Sequence, residues 1–326
     1  MRQIRWVAML VLICVPLAIS ACGGDDDDDN GGSTAPATQA SGTIQKNDKN
    51  SSVKLVVGSK NFTEQKVLGE IYAQALEAAG YSVSKQLNLG DEKTALKALK
   101  SGEISAYPEY TGTILTSFFG KKAENLPSDN QKAYEQAKFS LGTEGITALP
   151  PTPFVSSNEV AVTKATADKY GLTKISDLSK VADKLTLYGS PECRQRLDCL
   201  LGLQQVYGLK FKKFVPVDIA LRHQVLTSGK ADVSIVFTTD PQIKRENEVL
   251  LEDDKGMFPP YNSTLLLKTD TVKKAGPDLT TVVEQVNKGL TDEAMQELNA
   301  RVDLDKSDPA QVAQEYLTET GLISGS

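Results

Sequence analysis

Residues Val53 to Gly80 read VKLVVGSKNFTEQKVLGEIYAQALEAAG, and they predict a strand, a polar turn and a helix in that order. The apolar run Leu55 to Val57 is short and bounded by glycine, which is typical of a buried strand. Apolar residues then recur at the spacing of one helix face, namely Val67, Leu68, Ile71, Ala75, Leu76 and Ala79. Gly80 ends the helix. This stretch therefore favours an α/β fold.

The turn GSKNFTEQ, Gly58 to Gln65, places polar groups between the strand and the helix. Asn61 is a candidate N-cap, and Glu64 stands three residues later in the position of a capping box. Unpaired N–H groups and the positive end of a helix dipole attract anions, and Lys60 adds a charge there. The turn thus indicates an anion site, and the alternative is an ordinary capped turn with a surface lysine.

The strand and helix alternation continues as far as TLLLK, is broken twice by prolines, and is followed by mostly helix to the C-terminus. Strands are predicted at Val83 to Leu89 and in EVAVTK, KLTLYG, FKKFVPV, ADVSIVF and TLLLK. The breaks are LPPTPF, Leu149 to Phe154, and MFPPYNS, Met257 to Ser263. Two such breaks predict that the chain crosses into a second α/β lobe and returns, with residues 53–155 and 258–326 in lobe 1 and 156–257 in lobe 2. A cleft between lobes is a favoured ligand site.

The N-terminal segment predicts export. Arg2 and Arg5 precede an apolar run that is short for a spanning helix, so residues 1–21 are interpreted as a signal peptide. The following ISAC, ending at Cys22, resembles a bacterial lipobox, which implies a diacylglycerol anchor on Cys22; the alternative is a buried cysteine in an uncleaved helix. Residues 22–52 contain five consecutive aspartates and few apolar groups, which predicts a disordered tether.

Charge and cysteine content exclude some functions. Removal of residues 1–21 takes away two arginines and no acids, so the formal charge falls from −6 to −8, which disfavours nucleic acid as a partner. Cys193 and Cys199 remain after the signal and the lipid site are set aside, and in an oxidising compartment they predict a disulfide. Two buried free thiols are the alternative. A zinc site would need more ligands than two cysteines and His223 supply.

Three further motifs carry groups suited to ligand binding. YPEYTGT, Tyr107 to Thr113, offers tyrosine rings that either attract a cation or pack in a core. GSPECRQRLDCLLGL, Gly189 to Leu203, places arginines in the predicted disulfide loop, where a guanidinium binds a carboxylate or lies on the surface. FTTD, Phe237 to Asp240, ends a predicted strand, and FPPYNS brings another tyrosine to the second break.

Taken together, GSKNFTEQ, YPEYTGT, GSPEC with its arginines, and FTTD resemble segments of the substrate-binding proteins of glycine betaine/choline/carnitine osmoprotectant ABC importers. The resemblance runs in order over most of Val53 to Ser326. It implies a type II periplasmic-binding-protein fold whose two α/β lobes close on a quaternary ammonium compound. It also implies an ABC permease and its ATPase as partners, a lipid-anchored monomer on the extracytoplasmic face of the cell membrane, and no cofactor or metal.

The resemblance also implies site residues by position. Cage and polar contacts fall on Tyr110, Thr113 and Tyr261, and carboxylate contacts on Lys60 and Arg196, with Arg194 as the alternative to Arg196. Gln65 faces the cleft. Phe237 stands where family members have tyrosine, which keeps the ring face and loses a hydroxyl. Val160 stands where many members have another cage tyrosine, so one wall is expected to be missing.

Three alternatives to this function remain open from the sequence. Catalysis is not expected, because the only histidine, His223, falls in a helical segment as a surface or capping group and no nucleophile has an activating base. A tethered sensor would use the same cleft without a transporter, and neighbouring permease and ATPase genes would argue against it. The third alternative keeps import but changes the ligand to an aromatic compound or an amino acid, because Val160 and Phe237 alter the cage.

Overall fold

The computed structural model describes residues 42–324, which form two mixed α/β sheets. The first sheet has the strand order β2-β1-β3-β10-β4, and the second has the order β7-β6-β8-β5-β9. The strands are β1 Lys54–Gly58, β2 Ser82–Gln86, β3 Ala106–Tyr110, β4 Ile146–Ala148, β5 Asn158–Thr163, β6 Thr186–Gly189, β7 Lys213–Pro216, β8 Val233–Phe237, β9 Glu248–Leu251 and β10 Ser263–Lys268. We call the parts built on these sheets the first and second lobes.

Helices cover both faces of the sheets. They are α1 Thr63–Ala78, α2 Glu92–Ser101, α3 Thr111–Thr113, α4 Asn130–Gly142, α5 Lys164–Tyr170, α6 Leu200–Val206, α7 Arg222–Thr227, α8 Gln242–Arg245, α9 Thr269–Ala275, α10 Pro277–Lys288, α11 Asp292–Asp303 and α12 Pro309–Glu319. A π-helical turn, Ile114–Phe118, continues α3.

One strand in each sheet runs against its neighbours. β10 is antiparallel to β3 and β4, and β5 is antiparallel to β8 and β9. The chain crosses from β4 to β5 and returns from β9 to β10, so β10 completes a sheet that the first part of the chain began. The expectation of two α/β lobes is confirmed, while the exact domain boundaries stay a prediction.

Burial on both sheet faces explains the continuous apolar strands. In β10, Leu265 and Leu267 pack in a core with α1, whereas Leu266 packs in a separate core with Leu141 of α4. Successive side chains of a strand point to opposite faces, so a strand covered on both sides is apolar throughout. The run TLLLK needs both layers of helices to be buried.

Two local expectations are wrong. α1 begins at Thr63 with Phe62 as N-cap, and no side chain caps it; Asn61 is exposed, and Glu64 is drawn into the interior by other donors. The tether prediction is wrong for residues 44–52: Ile44 is buried, its N–H bonds to the carbonyl of Leu322, and Asp48–Ser52 form a 3-10 helix. The predicted signal peptide and Cys22 lie outside the described residues.

Candidate functional site

A pocket lies in the cleft between the two lobes and takes its lining from both. It contains six of the seven residues predicted to bind ligand, namely Lys60, Tyr110, Thr113, Arg196, Phe237 and Tyr261. The lining also includes residues that the sequence did not single out, among them Phe62, Glu92, Asn158 and Arg222. The fold therefore brings together segments that lie far apart in the chain.

Lys60 follows β1 and lies at the pocket with its ammonium held by Glu109 of β3. The Nζ atom is 4.6 Å from the ring centroid of Tyr110 and 5.7 Å from that of Phe62. Burial raises the pKa of Glu109, and the nearby Lys60 charge only partly offsets this rise. The Lys60 ammonium therefore lies near the rings of both Tyr110 and Phe62.

Gln65 is fully buried and is not part of the pocket lining. It therefore does not face the cleft, although the resemblance implied that it would. Its Oε1 atom accepts the backbone N–H of Lys60 at 3.4 Å. Its Nε2 atom has no partner among residues 42–324. In this structure Gln65 supports the loop that carries Lys60.

Tyr110 is fixed by a buried carboxylate. Its hydroxyl donates to Oε1 of Glu64 at 2.6 Å, and the other Glu64 oxygen accepts from Thr239 at 2.6 Å and Asn299 at 3.0 Å. Burial raises the pKa of Glu64, while these hydrogen bonds act to lower it. Because Thr239 follows β8 of the second sheet, Glu64 connects Tyr110 to the other lobe.

Arg196 pairs with Asp198 of its own loop and contacts Glu92 and Thr113 of the first lobe across the cleft. The Nε atom of Arg196 donates to Asp198 at 2.8 Å and Nη2 donates to the second Asp198 oxygen at 2.6 Å, while Nη1 lies 3.3 Å from Glu92. Burial alone would lower the pKa of Arg196, but Asp198 and Glu92 hold it well above its usual value. A longer bond of 3.4 Å joins Nη2 to Thr113. The guanidinium is already shared by two carboxylates.

Tyr261 and Thr116 complete this network from the first lobe. Both hydroxyls donate to Asp198, at 2.6 and 3.0 Å. Burial by itself raises the pKa of Asp198, and Arg196 outweighs it and keeps the pKa below its usual value. The ring of Tyr261 lies against Gly112, where an added Cβ would come within 2.5 Å of the ring. The YTGT segment therefore requires glycine at this position for steric reasons.

Phe237 ends β8 and its ring carries a second buried cation. The Cζ atom of Arg222 lies 4.6 Å from the Phe237 ring centroid, and Arg222 binds both carboxylate oxygens of Asp240. Asp240 also bonds to Nε2 of His223 at 2.9 Å, and Glu248 bonds to Nδ1 at 2.9 Å. His223 is buried, so the expectation of a surface or capping group is wrong.

Phe62 joins the aromatic residues of the two lobes. Its ring centroid lies 6.3 Å from that of Tyr110 and 5.3 Å from that of Phe237. Phe62 stands inside the GSKNFTEQ turn, and the signal in the sequence that could have identified it is an aromatic residue in an otherwise polar turn, two positions after Lys60. Arg222 had no such signal, because only the packing of α7 against β8 brings it to the pocket.

The structure gives two further corrections. Val160 is fully buried in the core of the second lobe and does not line the pocket, so its replacement of tyrosine leaves no missing wall at that point. Asn158, two residues earlier on the same strand, reaches the pocket and donates to the Tyr261 hydroxyl at 3.2 Å. Arg194 is exposed and lies over Phe214, 5.0 Å from the ring centroid, outside the lining.

The predicted disulfide is confirmed and holds the loop that carries Arg196. Cys193 and Cys199 are bonded, with their Cα atoms 5.1 Å apart. In residues 42–324, no helix combines the length and apolar composition that crossing a membrane requires. The same part of the chain holds no group of three or more His, Cys, Asp and Glu residues suited to a metal ion.

Comparisons with known proteins show which family the chain belongs to. Residues 53–319 match the family described as the substrate-binding domain of ABC-type glycine betaine transport systems. The chain is 31% identical over 280 residues to a glycine-betaine-binding protein of Pseudomonas aeruginosa. The match covers 82% of this chain and 88% of that protein. The chain is 30% identical over 270 residues to the ergothioneine transport permease/ergothioneine binding protein EgtU of Helicobacter pylori, covering 82% of this chain.

The chain spans about half, 48%, of the length of the Helicobacter protein. A solved structure of a glycine betaine/carnitine/choline ABC transporter protein superposes with a TM-score of 0.64 at 26% identity, covering 82% of this chain and 98% of that one. This superposition, together with the two mixed α/β sheets, confirms the expected periplasmic-binding-protein fold. The chain belongs to the family of substrate-binding domains of ABC-type glycine betaine transport systems.

Proposed function

We propose that this protein captures a quaternary ammonium compound of the glycine betaine, choline or carnitine type and delivers it to an ABC importer. The observation that carries the proposal is the pocket itself, in which Tyr110, Phe237 and Tyr261 meet the buried cations Lys60 and Arg196. Ring faces attract a cation that cannot donate hydrogen bonds, and charged donors bind a carboxylate. A zwitterion with both groups matches this combination.

Each predicted contact has a role in this scheme. Tyr110, Phe237 and Tyr261 supply rings for the trimethylammonium group, and Thr113 supplies a hydroxyl. Lys60 and Arg196 supply charge for the carboxylate, and Gln65 acts indirectly by holding the Lys60 backbone.

Lobe closure is the proposed capture step. The contacts of Phe62 with Phe237 and of Arg196 with Glu92 join the two lobes. The hydroxyls of Tyr261 and Thr116 add hydrogen bonds to Asp198. A ligand enclosed by these contacts would lose its water, and the permease would recognise the closed form. The ATPase partner, and not this chain, would use ATP.

We further propose that the protein acts at the extracytoplasmic face of the cell membrane as a monomer, anchored through lipid on Cys22. Two acyl chains of a diacylglycerol hold a protein at a membrane more durably than a single chain. The support for this proposal is the ISAC segment and the apolar run before it.

A second candidate ligand is a betaine that also carries a planar ring, as ergothioneine does. Two features favour it: the 30% identity to the Helicobacter protein and the aromatic contact between Phe62 and Phe237, whose ring centroids are 5.3 Å apart. A planar group could stack against such a wall.

Isothermal titration of the full chain in detergent would test these candidates against one another. The titrants are glycine betaine, choline, carnitine and ergothioneine, with glycine as the control that lacks methyl groups. We expect a dissociation constant in about the micromolar range for at least one quaternary amine and no heat with glycine. A protein that unfolds cooperatively but binds none of the four would contradict the proposed function.

A further inference from the structure

Arg222 is a buried cation in the pocket whose function the family resemblance does not specify. It begins α7, its side chain is 9% exposed, and it lines the pocket. Asp240 binds it through both carboxylate oxygens, the carbonyl of Ile219 accepts from Nη1, and the Phe237 ring lies beneath it. A side chain held from three directions has a fixed orientation toward the pocket.

The hydrogen-bond inventory of Arg222 leaves donors for a ligand. A guanidinium carries five N–H hydrogens. Within residues 42–324, its bonds to Asp240 and Ile219 use one hydrogen each on Nε, Nη1 and Nη2. One hydrogen on each Nη atom is therefore left over. Buried donors favour an acceptor, and a carboxylate is the acceptor that matches paired guanidinium hydrogens best.

Arg222 is better placed electrostatically than Arg196 to receive an anion. Arg196 lies between Asp198 and Glu92, so an approaching carboxylate meets two like charges beside one guanidinium. Among residues 42–324, Arg222 forms an ion pair with one carboxylate, Asp240, which His223 shares from the other side. Asp303 and Glu64 also act on the Arg222 charge, but neither forms an ion pair with it, and burial raises the pKa of Glu64, which reduces its negative charge. A carboxylate in direct contact repels a ligand carboxylate more strongly than a distant one, so the repulsion is smaller at Arg222.

The stacking of Arg222 also changes the role of Phe237. The ring face that Arg222 covers at 4.6 Å is not open to a trimethylammonium group. Phe237 holds Arg222 with this face and contacts Phe62, whose ring centroid is 5.3 Å away. The loss of a tyrosine hydroxyl at this position is compatible with a charged donor placed next to it.

We propose that Arg222 determines specificity by adding its own hydrogen bonds to the carboxylate that Lys60 and Arg196 attract, so that a zwitterionic betaine is favoured over choline, a cation without a carboxylate. This inference rests on the proposed function and adds a ligand class to it. Choline would bring a net positive charge toward a buried guanidinium and leave its spare hydrogens without an acceptor. The loss of a charge-assisted hydrogen bond corresponds to a factor of about 10 to 100 in affinity.

The test compares the affinities of the full chain for glycine betaine and for choline, measured by titration calorimetry in detergent. The variants are Arg222→Met, which removes the charge, and the double variant Arg222→Met with Asp240→Asn, which removes the buried pair together. Arg194→Met is the matched control, because Arg194 is in the same lobe, exposed, and outside the pocket. The readout is the ratio of the two dissociation constants, which a general loss of stability would not change.

We expect the wild-type protein to bind glycine betaine more tightly than choline. In both Arg222 variants this preference should fall by about tenfold or more, while Arg194→Met should leave it within about twofold. A preference that stays within about twofold in the Arg222 variants would overturn the inference, and so would a wild-type protein that prefers choline. If the single variant does not fold, the double variant and the wild-type preference decide the question.

The two proposals fail in different ways. A folded wild-type protein that binds no quaternary amine would overturn the proposed function and this inference with it. A wild-type protein that binds betaine and choline with an Arg222-independent ratio would overturn only the inference.

Discussion

The ring centroids of Phe62 and Phe237 lie 5.3 Å apart, although Phe62 precedes α1 of the first lobe and Phe237 ends β8 of the second. This contact closes the aromatic wall of the pocket. Neither residue reaches the other through local structure, so the contact depends on how the two lobes meet.

Phe62→Ala should weaken binding of glycine betaine. The variant loses a ring that contacts Tyr110, Phe237 and the Lys60 ammonium, and the expected cost is about 0.5 to 2 kcal/mol of binding free energy. Titration calorimetry measures it, and Phe139→Ala is the control because Phe139 is 76% exposed. Equal affinity in wild type and Phe62→Ala would show that the ring does not contribute to the site.

Arg196→Met should lower the free energy of unfolding by about 3 to 5 kcal/mol, because it leaves the buried Asp198 without its cation. Urea unfolding in the absence of ligand measures this effect. Adding Asp198→Asn should recover part of the loss, since the variant then buries no uncompensated carboxylate there. A single variant as stable as Arg194→Met would mean that the pair contributes nothing to the fold.

Removing the disulfide with Cys193→Ala and Cys199→Ala should lower stability by about 2 kcal/mol, from the entropy of closing a short loop. Urea unfolding with and without reductant separates the effect from packing changes. Reductant should destabilise the wild type and leave the variant unchanged. A wild type that is insensitive to reductant, although thiol counting shows it reduced, would contradict the prediction.

His223 should make stability depend on pH. Burial alone would lower its pKa, but the bonds to Asp240 and Glu248 raise it above the usual value. A raised histidine pKa means that its stabilising contribution is complete below the unfolded pKa of about 6.5 and is lost as pH rises through the folded pKa. The free energy of unfolding should therefore fall more steeply with rising pH in wild type than in His223→Gln.

Urea unfolding of both proteins at about pH 5.5, 7 and 8.5 provides the comparison. Burial raises the pKa of Glu159 to about 7, with Asp253 adding to the shift, and this effect has the same sign. It is present in both proteins, so the difference between their profiles isolates His223. Parallel profiles would contradict the assignment.

Cys22→Ala should abolish incorporation of a labelled fatty acid into the protein, because Cys22 is the proposed lipid site. Metabolic labelling followed by immunoprecipitation measures it. Cys14→Ala is the matched control and should keep the label, since Cys14 belongs to the predicted signal peptide. Label that persists in Cys22→Ala would move the anchor elsewhere or remove it.

Much of the fold could be predicted because strand and helix periodicities are local. The predicted strands in VKLVVG, EVAVTK, KLTLYG and TLLLK all occur. The relatives are solute-binding proteins, so the prediction that the chain is not an enzyme is also confirmed. β3 was not predicted, because its Pro108 argues against a central strand. Pro108 has no N–H to donate to a neighbouring strand. The strand accommodates it because β1 pairs with β3 only through Val57 and Ala106.

Local patterns in the sequence predicted the alternation of elements, the two crossings, the disulfide pair and six residues of the pocket lining, namely Lys60, Tyr110, Thr113, Arg196, Phe237 and Tyr261. These features depend on side-chain periodicity, on proline and glycine, and on residue chemistry, all of which can be read from short stretches of sequence. Packing between distant segments was needed to show that Glu64 is buried, that Val160 is in a core, and that Arg222 lies over Phe237 at the site. Arg222 stacks on a ring 15 positions away, and Phe62 contacts the same ring of Phe237 from 175 positions away. Such contacts depend on how separate layers of the fold pack together, which local sequence patterns do not specify.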